Sequence, residues 1–200
     1  MAEQYFARHP RGAHEIREVA ATIRGRLFHF LTDSGVFAKR GPDAGTLLLA
    51  EALQIPPSAL TLDLGCGYGV LGIVAAALAP QGRAILTDVN QRAVALARKN
   101  IELNDLLNAE ARAGEFFGPV EGLLFDAIVT NPPVRAGKAV VEQMAREAKA
   151  HLVHGGTYWT VLRTKQGAPS HRRFLETLYD EVREPAKGGG YRVFATTRRL

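Results

Sequence analysis

The sequence predicts an α/β fold in which a seven-stranded, mostly parallel sheet carries helices on both faces. Short apolar runs alternate along most of the chain with stretches whose apolar residues recur at helical spacing, which is typical of strand–helix–strand units. The run at residues 123–130 is apolar at most positions, as strands buried on both faces are. The 200 residues, of which 46% are hydrophobic, suffice to bury one core.

The same patterns place the individual elements. Strands are predicted at residues 59–64, 83–87, 109–113, 123–130, 157–162 and 191–196. The strand at 191–196 can also form an antiparallel hairpin across the glycines at 188–190, with a preceding strand that no helix separates from it. Helices are predicted from residue 43 onward and at residues 70–78, 91–104, 138–152 and 170–179.

Cap and turn residues bound several of these helices. Pro42 and Asp43 are expected to begin a helix, because Pro suits the first helical position and Asp suits the positive N-terminal end. Asn90 is expected to cap the helix that follows it. The pairs at residues 56–57 (Pro-Pro) and 155–156 (Gly-Gly) are expected to end the helices before them.

Residues 1–40 are predicted to form an extension that packs on a catalytic domain of residues 41–200. Arg17–Ile23 and Arg26–Thr32 are rich in β-branched and aromatic residues and flank Arg24-Gly25, which predicts a β-hairpin. The turn residues at 33–35 follow it.

Charge and cysteine content indicate which partners and which cellular compartment to expect. The formal charge is +5, and a basic balance favours polyanionic partners because Lys and Arg neutralise phosphates and release counterions. Cys66 is the single cysteine, so no internal disulfide can form. No uncharged apolar run approaches the ~20 residues that a membrane span needs. We therefore expect a cytoplasmic protein without a membrane segment.

The first local signal for chemistry is the turn D-L-G-C-G-Y-G at residues 63–69, where the first parallel strand gives way to a helix. Such turns let a ligand approach the backbone closely. Asp88, at the end of the next strand, can accept both ribose hydroxyls of an adenosine cofactor. The alternatives are a tight turn without a ligand and a dehydrogenase, whose usual G-x-G-x-x-G spacing is not met.

The second signal is N-P-P-V at residues 131–134, directly after an apolar strand. Two consecutive prolines cannot continue a strand ladder, so the chain leaves the sheet there. The side-chain oxygen of Asn131 and the carbonyl of Pro132 can both accept hydrogen bonds from an amino group. Such acceptors would direct the nitrogen lone pair towards an electrophilic methyl group by proximity and electrostatics. The alternative is a plain Pro-Pro turn.

Together these signals resemble the class I S-adenosylmethionine-dependent methyltransferases that modify amino nitrogens. The resemblance is closest to the small-domain group that includes the 16S ribosomal RNA guanine-N2 methyltransferases, in compact single-domain form. It extends over nearly the whole chain, through Q-Y-F, T-D-S-G-V-F-A-K-R-G-P-D-A-G-T, N-P-P-V-R-A-G-K and T-K-Q-G-A-P-S at residues 4–6, 32–46, 131–138 and 164–170. It implies a Rossmann-like fold with an N-terminal hairpin-and-helix extension.

The resemblance also implies an S-adenosylmethionine site. No metal is expected, because the six histidines show no metal-ligand spacing with cysteine. The residues implied to bind the cofactor are Asp63, Gly65, Cys66, Gly67, Gly69, Asp88, Val89, Glu115 and Asn131. Among them, Asp88 would hold the ribose, Val89 would lie against the adenine and Glu115 would lie near the adenine amino group.

Asn131, Pro132 and Pro133 are the residues implied to hold the target amine. Many amino methyltransferases place an aromatic residue after N-P-P, where it stacks on the flipped base. Val134 stands there in this chain, so either Phe6 or Phe37 stacks on the base or the base is held differently.

Basic residues after the N-P-P loop and after the following strand are expected to face the same crevice, where they can bind phosphates or base edges. They are Arg135, Lys138 and Lys165, with Gln166 beside the last of them. The alternative for each of them is a solvated loop charge.

The sequence thus predicts methyl transfer from S-adenosylmethionine to an exocyclic amine of a nucleic-acid base, foremost guanine N2 of ribosomal RNA. The expected partner is ribosomal RNA or the small ribosomal subunit, and the expected state is a monomer or homodimer. One alternative is an N-methyltransferase acting on a protein glutamine or a small-molecule amine. Another is a non-catalytic module that binds the cofactor or RNA.

Overall fold

The structure is a computed structural model that describes residues 15–36, 38 and 40–198. The elements along this part of the chain are β1 (Arg17–Ile23), β2 (Arg26–Thr32), α1 (Ala44–Ala52), β3 (Leu60–Leu64), α2 (Val70–Leu78), β4 (Arg83–Asp88), α3 (Gln91–Leu103), β5 (Ala109–Ala113), β6 (Phe125–Thr130), α4 (Lys138–Ala150), β7 (Leu152–Arg163), α5 (Ala168–Leu178), β8 (Glu181–Gly188) and β9 (Tyr191–Thr197).

Strands β3 to β9 form one sheet in the order β5-β4-β3-β6-β7-β9-β8. The pairs that involve β9 are antiparallel and the others are parallel, which confirms the predicted seven-stranded, mostly parallel sheet. The chain moves from β3 outward to β4 and β5 and then returns to β6 on the other side of β3. This reversal leaves a crevice at the carboxyl ends of β3 and β6, where α/β sheets bind ligands.

Successive residues of the central strands supply two apolar layers, because side chains alternate across a sheet. Val129 and Trp159 are buried on the face that packs against α1, α2 and α3. Ile128 and Tyr158 are buried on the face that packs against α4 and α5. Helices therefore cover both faces, as predicted.

The N-terminal hairpin has the bounds that its sequence predicts and forms a separate two-stranded sheet. Phe28 and Phe30 bury their rings in the core that α1, α2 and α3 share. The side-chain amides of Asn100, on α3, and of Asn104, its C-cap, exchange hydrogen bonds of 2.7–3.1 Å with the backbone of Leu31 and His29, as a neighbouring strand would. These amides cover the edge of β2 and attach the hairpin to the domain.

The start of α1 differs from the prediction in its cap. The helix begins at Ala44 with Asp43 as N-cap, so Pro42 precedes the cap and does not occupy the first helical position. The Asp43 carboxylate accepts hydrogen bonds from the backbone N–H groups of Gly45 and Thr46. A proline ring offers no acceptor for these groups, and an Asp side chain satisfies them.

The prediction that Gly155 and Gly156 end the fourth helix is wrong. That helix, α4, ends at Ala150, and β7 begins at Leu152 and contains both glycines. Leu152 is fully buried and pairs with Phe125, after which the register between the two strands shifts. Gly155 has φ +81°, so its backbone accommodates an irregularity inside a strand.

Within residues 15–36, 38 and 40–198, no helix combines the length and the apolar character that crossing a bilayer requires.

Candidate active site

The crevice between β3 and β6 contains both sequence signals for chemistry. β3 ends at Leu64 and turns into α2 through residues 65–69, and β6 ends at Thr130, directly before Asn131. The Thr130 hydroxyl donates a buried hydrogen bond of 2.7 Å to the Leu64 carbonyl. This bond joins the two strand ends, so the glycine turn and the N-P-P loop lie side by side.

The glycine turn is attached to the end of β4. The backbone N–H groups of Gly65 and Cys66 both donate to the Thr87 carbonyl at 2.9 Å. Gly65 and Gly67 have φ of +74° and +55°, and a Cβ added at either would meet no protein atom within 4 Å. These two glycines therefore leave open space where the turn borders the crevice.

Gly69 has a different role in the same turn. It is the N-cap of α2 with φ +100°, and a Cβ there would lie 3.0 Å from the Leu86 side chain and 3.3 Å from Ala97. Its lack of a side chain serves helix packing, whereas the lack of one at Gly65 and Gly67 keeps the crevice open.

Asp63 is a buried carboxyl at the bottom of the crevice. Its Oδ2 accepts a hydrogen bond of 2.7 Å from the backbone N–H of Gly72, in the first turn of α2. Burial raises the pKa of Asp63 to about 7, against the effect of the Gly72 hydrogen bond, and the negative charge of Asp88 adds to the rise. The carboxyl therefore titrates near neutral pH, and a cationic group placed beside it would favour the ionised form.

Asp88 stabilises the loops at the end of β4. Its Oδ2 accepts from the backbone N–H of Gly67 and its Oδ1 accepts from that of Asn90, both at 2.8 Å. Burial raises the pKa of this carboxyl, and the backbone hydrogen bonds oppose that shift. The backbone N–H of Val89 also acts on this carboxylate. Because each carboxylate oxygen can accept two hydrogen bonds, Asp88 retains capacity for a hydroxyl donor.

Cys66, between the glycines, is a packed thiol. Its Sγ contacts the Gly67 carbonyl at 3.3 Å. Burial raises the pKa of the Cys66 thiol well above its ordinary value, and the nearby charges of Asp88 and Asp63 act in the same direction. The thiol therefore stays protonated and is not a nucleophile.

Asn131 is held by the N-terminus of α1. Its Nδ2 lies 3.1 Å from Asp43 Oδ2 and 2.9 Å from Thr46 Oγ1. The Thr46 hydroxyl itself donates to Asp43 Oδ2 at 2.5 Å, so its lone pairs face Asn131. A carboxylate only accepts hydrogen bonds, and it therefore requires the NH₂ group of Asn131 to face α1. The side-chain oxygen of Asn131 is left as the acceptor for a ligand.

After the two prolines, the loop continues as a short 3₁₀ turn, residues Val134–Ala136. The Pro132 carbonyl accepts from the backbone N–H of Val134, and the Pro133 carbonyl accepts from that of Ala136, both at 2.8 Å. A carbonyl oxygen has two lone pairs, so Pro132 can accept one further hydrogen bond.

These residues border one open cavity of about 1040 Å³. The predicted cofactor residues that line it are Asp63, Gly65, Cys66, Gly67, Asp88, Val89, Glu115 and Asn131. The predicted substrate-side residues that line it are Pro132, Pro133, Val134, Arg135 and Gln166. A cavity of this size can hold two ligands of nucleoside size.

Some predicted site residues lie elsewhere. Lys138 and Lys165 are exposed and do not line the cavity, and the Lys138 ammonium pairs with Glu142 at 3.5 Å. Gly69 contacts the core and not the cavity. Phe6 and Phe37 fall outside the described residues, so their stacking role stays a prediction.

The structure adds residues to the cavity that sequence reasoning missed. They are Asp43, Thr46, Phe116, Arg163 and Tyr191. Among these residues, only Asp43 was singled out from the sequence, and that was as an expected helix start. Arg163 and Tyr191 end and begin strands, and no local pattern marks such positions as functional.

The described residues fit S-adenosylmethionine on three observations. The space beside Gly65 and Gly67 is open to a ligand, Asp88 can accept a ligand hydroxyl, and Asp63 offers a carboxyl to a cationic amino-acid group. In the described part of the chain, no three His, Cys, Asp or Glu residues are grouped as metal ligands. The fold and this site define a Rossmann-like class I methyltransferase that uses S-adenosylmethionine.

Comparison with known proteins agrees with that class. The family model "methyltransferase small domain" matches residues 27–195, and the chain belongs to this family. It is 37% identical to the uncharacterized protein YbxB of Bacillus subtilis (strain 168) over 96% of both chains. It is 32% identical to ribosomal RNA small subunit methyltransferase C of Haemophilus influenzae (strain PittGG), over 80% of this chain and 48% of that protein.

A solved structure shares both fold and sequence with the chain. It is the T. thermophilus 16S rRNA N2 methyltransferase RsmC in complex with AdoMet and guanosine, with a TM-score of 0.81 and 29% identity. The match covers 92% of this chain and 51% of that one. The chain thus spans nearly all of YbxB but about half the length of these named methyltransferases.

Gly65→Ala is expected to weaken S-adenosylmethionine binding by about 10-fold or more, because the added methyl group enters the space that the cofactor needs. Gly25→Ala is the matched control: Gly25 has φ +76° and equally open surroundings, but it lies in the hairpin turn. Both changes carry a similar backbone strain of about 1–2 kcal/mol. Calorimetric titration and thermal melting separate the effects, and equal cofactor affinity in the two variants would contradict the assignment.

Proposed function

We propose that this protein transfers a methyl group from S-adenosylmethionine to the N2 amine of a guanine in ribosomal RNA. The observation that carries the proposal is the orientation of Asn131, whose amide nitrogen is held by Asp43 and Thr46. This leaves the side-chain oxygen as a neutral acceptor beside the cavity, suited to an amino group.

The side-chain oxygen of Asn131 and the carbonyl of Pro132 can orient an amine for methyl transfer. S-adenosylmethionine, when bound, supplies an electrophilic methyl group on a positively charged sulfur. Asn131 Oδ1 and the free lone pair of the Pro132 carbonyl accept the two N–H groups of the target amine, which directs the nitrogen lone pair away from the loop. When the methyl group leaves the sulfur and bonds to the nitrogen, both oxygens stabilise the positive charge that develops there. The nitrogen then becomes neutral by releasing one of its N–H protons to water. No protein nucleophile takes part, in keeping with the protonated Cys66.

Charge supports a nucleic-acid substrate. Arg40, Arg135 and Arg163 all line the cavity, and within the described residues none of them pairs with a carboxylate. The exposed Lys165 follows β7 close to Arg163. Such unpaired cations suit a phosphate backbone, and a paired base would have to be flipped out to reach Asn131. The cytoplasmic location and the monomeric or homodimeric state stay predictions.

The relatives narrow the proposed substrate. Ribosomal RNA small subunit methyltransferase C matches four fifths of this chain, and the solved N2 methyltransferase contains guanosine beside AdoMet. This chain matches only about half the length of each of these proteins. The other half of each protein can therefore take part in selecting the nucleotide. We therefore propose the reaction and the base and leave the nucleotide position to experiment.

Methyl transfer to RNA tests this proposal directly. Labelled S-adenosylmethionine is incubated with the protein and with small-subunit ribosomal RNA or 30S particles that lack their methylations, and the RNA is digested to nucleosides. We expect label in N2-methylguanosine, and about 10²- to 10³-fold slower labelling with Asn131→Ala. Cofactor binding without labelled RNA would refute the ribosomal assignment. A protein glutamine or a small amine would then be the substrate class to test, and salt-insensitive substrate binding would favour it.

A further inference from the structure

Arg163, the last residue of β7, is exposed at the cavity, and its guanidinium group is anchored there by Tyr191. Its Nε donates a hydrogen bond of 2.7 Å to the Tyr191 hydroxyl, and its Cζ lies 4.7 Å from the centre of the Tyr191 ring. One edge of the guanidinium and part of one face are thus occupied by a single aromatic side chain. A planar group held in this way loses less conformational entropy when it binds a ligand.

Tyr191 is itself fixed against the helix that orients Asn131. The residue is buried, and its ring covers Gly45 so closely that a Cβ there would lie 2.6 Å from Tyr191 Cε1. Gly45 lies between Asp43 and Thr46, the two residues that hold the Asn131 amide. Arg163 and Asn131 are therefore both positioned by the first turn of α1.

Two donor groups of Arg163 remain for a ligand. Arginine has five N–H donors, of which the Tyr191 contact uses the one on Nε. Arg172 and Arg192 instead share the carboxylate of Glu184, whereas no described acidic side chain pairs with Arg163. Both Nη groups are therefore available at the cavity that Arg163 lines.

Sheet geometry places Arg163 on the same side of the cavity as Asn131. β6 and β7 are neighbours, with Thr130 opposite Thr160, and such strands lie about 4.8 Å apart. Asn131 follows Thr130 directly, and Arg163 lies three residues beyond Thr160. A flat ligand that reaches from the N-P-P loop across the end of β7 would contact both side chains.

We propose that Arg163 recognises the O6 and N7 acceptors of the target guanine while Asn131 accepts its N2 amine. Guanine carries the amine on one edge and the two acceptors on another, and a guanidinium matches O6 and N7 with two parallel hydrogen bonds. The inference rests on the proposed function and deepens it, because it names the residue that selects the base.

RNA with altered bases tests this role. 2-Aminopurine retains the amine but lacks O6, and 7-deazaguanine lacks N7. We expect the wild-type protein to methylate guanine with a kcat/KM about 10- to 100-fold above that for 2-aminopurine at the same position, and to prefer guanine over 7-deazaguanine in the same direction. Arg163→Ala should lower kcat/KM for guanine by a similar factor and abolish both preferences. Arg163→Lys, which retains the charge without the planar fork, should not restore them.

Two controls separate base recognition from general RNA binding and from folding. Arg135→Ala removes another unpaired cation at the cavity and should lower activity on guanine and 2-aminopurine RNA by the same factor. Tyr191→Phe removes the hydroxyl that anchors Nε and should weaken the base preference partially. Arg163→Ala should bind S-adenosylmethionine with wild-type affinity in calorimetric titration, while fluorescence anisotropy should show weaker binding of guanine RNA.

The outcomes are distinguishable. An Arg163→Ala protein that retains the wild-type preference for guanine, or that loses activity on both bases equally, would overturn this inference and leave the proposed function intact. A wild-type protein that binds cofactor but methylates no RNA guanine would overturn both.

Discussion

Asn131→Ala should lower kcat for methyl transfer by about 10²- to 10³-fold, the loss that follows when one preorganised polar group at a reacting centre is removed. The side-chain oxygen of Asn131 is the acceptor that the Asp43 and Thr46 contacts leave for the amine. Without it, the lone pair of the nitrogen is no longer directed and the developing positive charge loses a stabilising dipole. Steady-state kinetics with RNA, beside calorimetric titration of S-adenosylmethionine, should show a much larger effect on kcat than on cofactor binding.

Asn104→Ala is the matched control for this experiment. Asn104 is also a buried amide that bridges two elements, but it attaches the hairpin to α3, away from the cavity. Its loss should lower the free energy of unfolding by about 1–3 kcal/mol, because hydrogen-bonding groups of the hairpin lose their partner, and should leave kcat near the wild-type value. If Asn131→Ala retained more than a tenth of the wild-type kcat, the loop would not be the centre of the reaction.

Asp43→Asn should lower kcat by about 10²-fold while leaving stability almost unchanged. Asn caps helices about as well as Asp does, so α1 keeps its N-cap. The substitution instead replaces Oδ2, the carboxylate oxygen that accepts a hydrogen bond from Asn131 Nδ2, with an amide NH₂ group. An amide NH₂ at that place would favour a flipped Asn131, whose own NH₂ group would then face the donor groups of the target amine.

Asp43→Ala separates the two roles of this carboxylate. It removes the cap as well and should cost about 0.5–2 kcal/mol of folding free energy, visible as a lower Tm, in addition to the loss of kcat. Asp43→Asn should show the kinetic loss with a wild-type Tm. An Asp43→Asn protein with the wild-type kcat would mean that Asn131 keeps its orientation without the carboxylate.

The elements that depend on local chemistry were predictable from the sequence. The hairpin, the helix at Val70–Leu78 and the strand at Ala109–Ala113 have the predicted bounds, because β-branched runs, glycine turns and helical periodicity act over a few residues. The glycine turn and the N-P-P loop were found for the same reason. Their residues must adopt positive φ or leave a strand ladder, and such requirements restrict the amino acids directly.

Strand irregularities were not predictable in this way. Gly155 and Gly156 follow a helical pattern and suggest its end, yet they lie inside β7, where burial of Leu152 against Phe125 starts the strand earlier. A glycine permits many backbone conformations, and only the neighbouring strand selects one of them.

The amino-acid sequence alone predicted the fold class, through the alternation of strands and helices along the chain. It also marked the glycine turn and the N-P-P loop, because each motif lies within one short stretch. The tertiary structure decided how that loop is oriented and what surrounds it. Asn131 is held from 88 residues away by Asp43, and Arg163 rests on Tyr191 28 residues further along the chain. It also placed Arg135 at the cavity but Lys138 and Lys165 outside its lining. These contacts join residues that only the packing of α1 against β7 and β9 brings together, and no local pattern records which distant partner a polar side chain will meet.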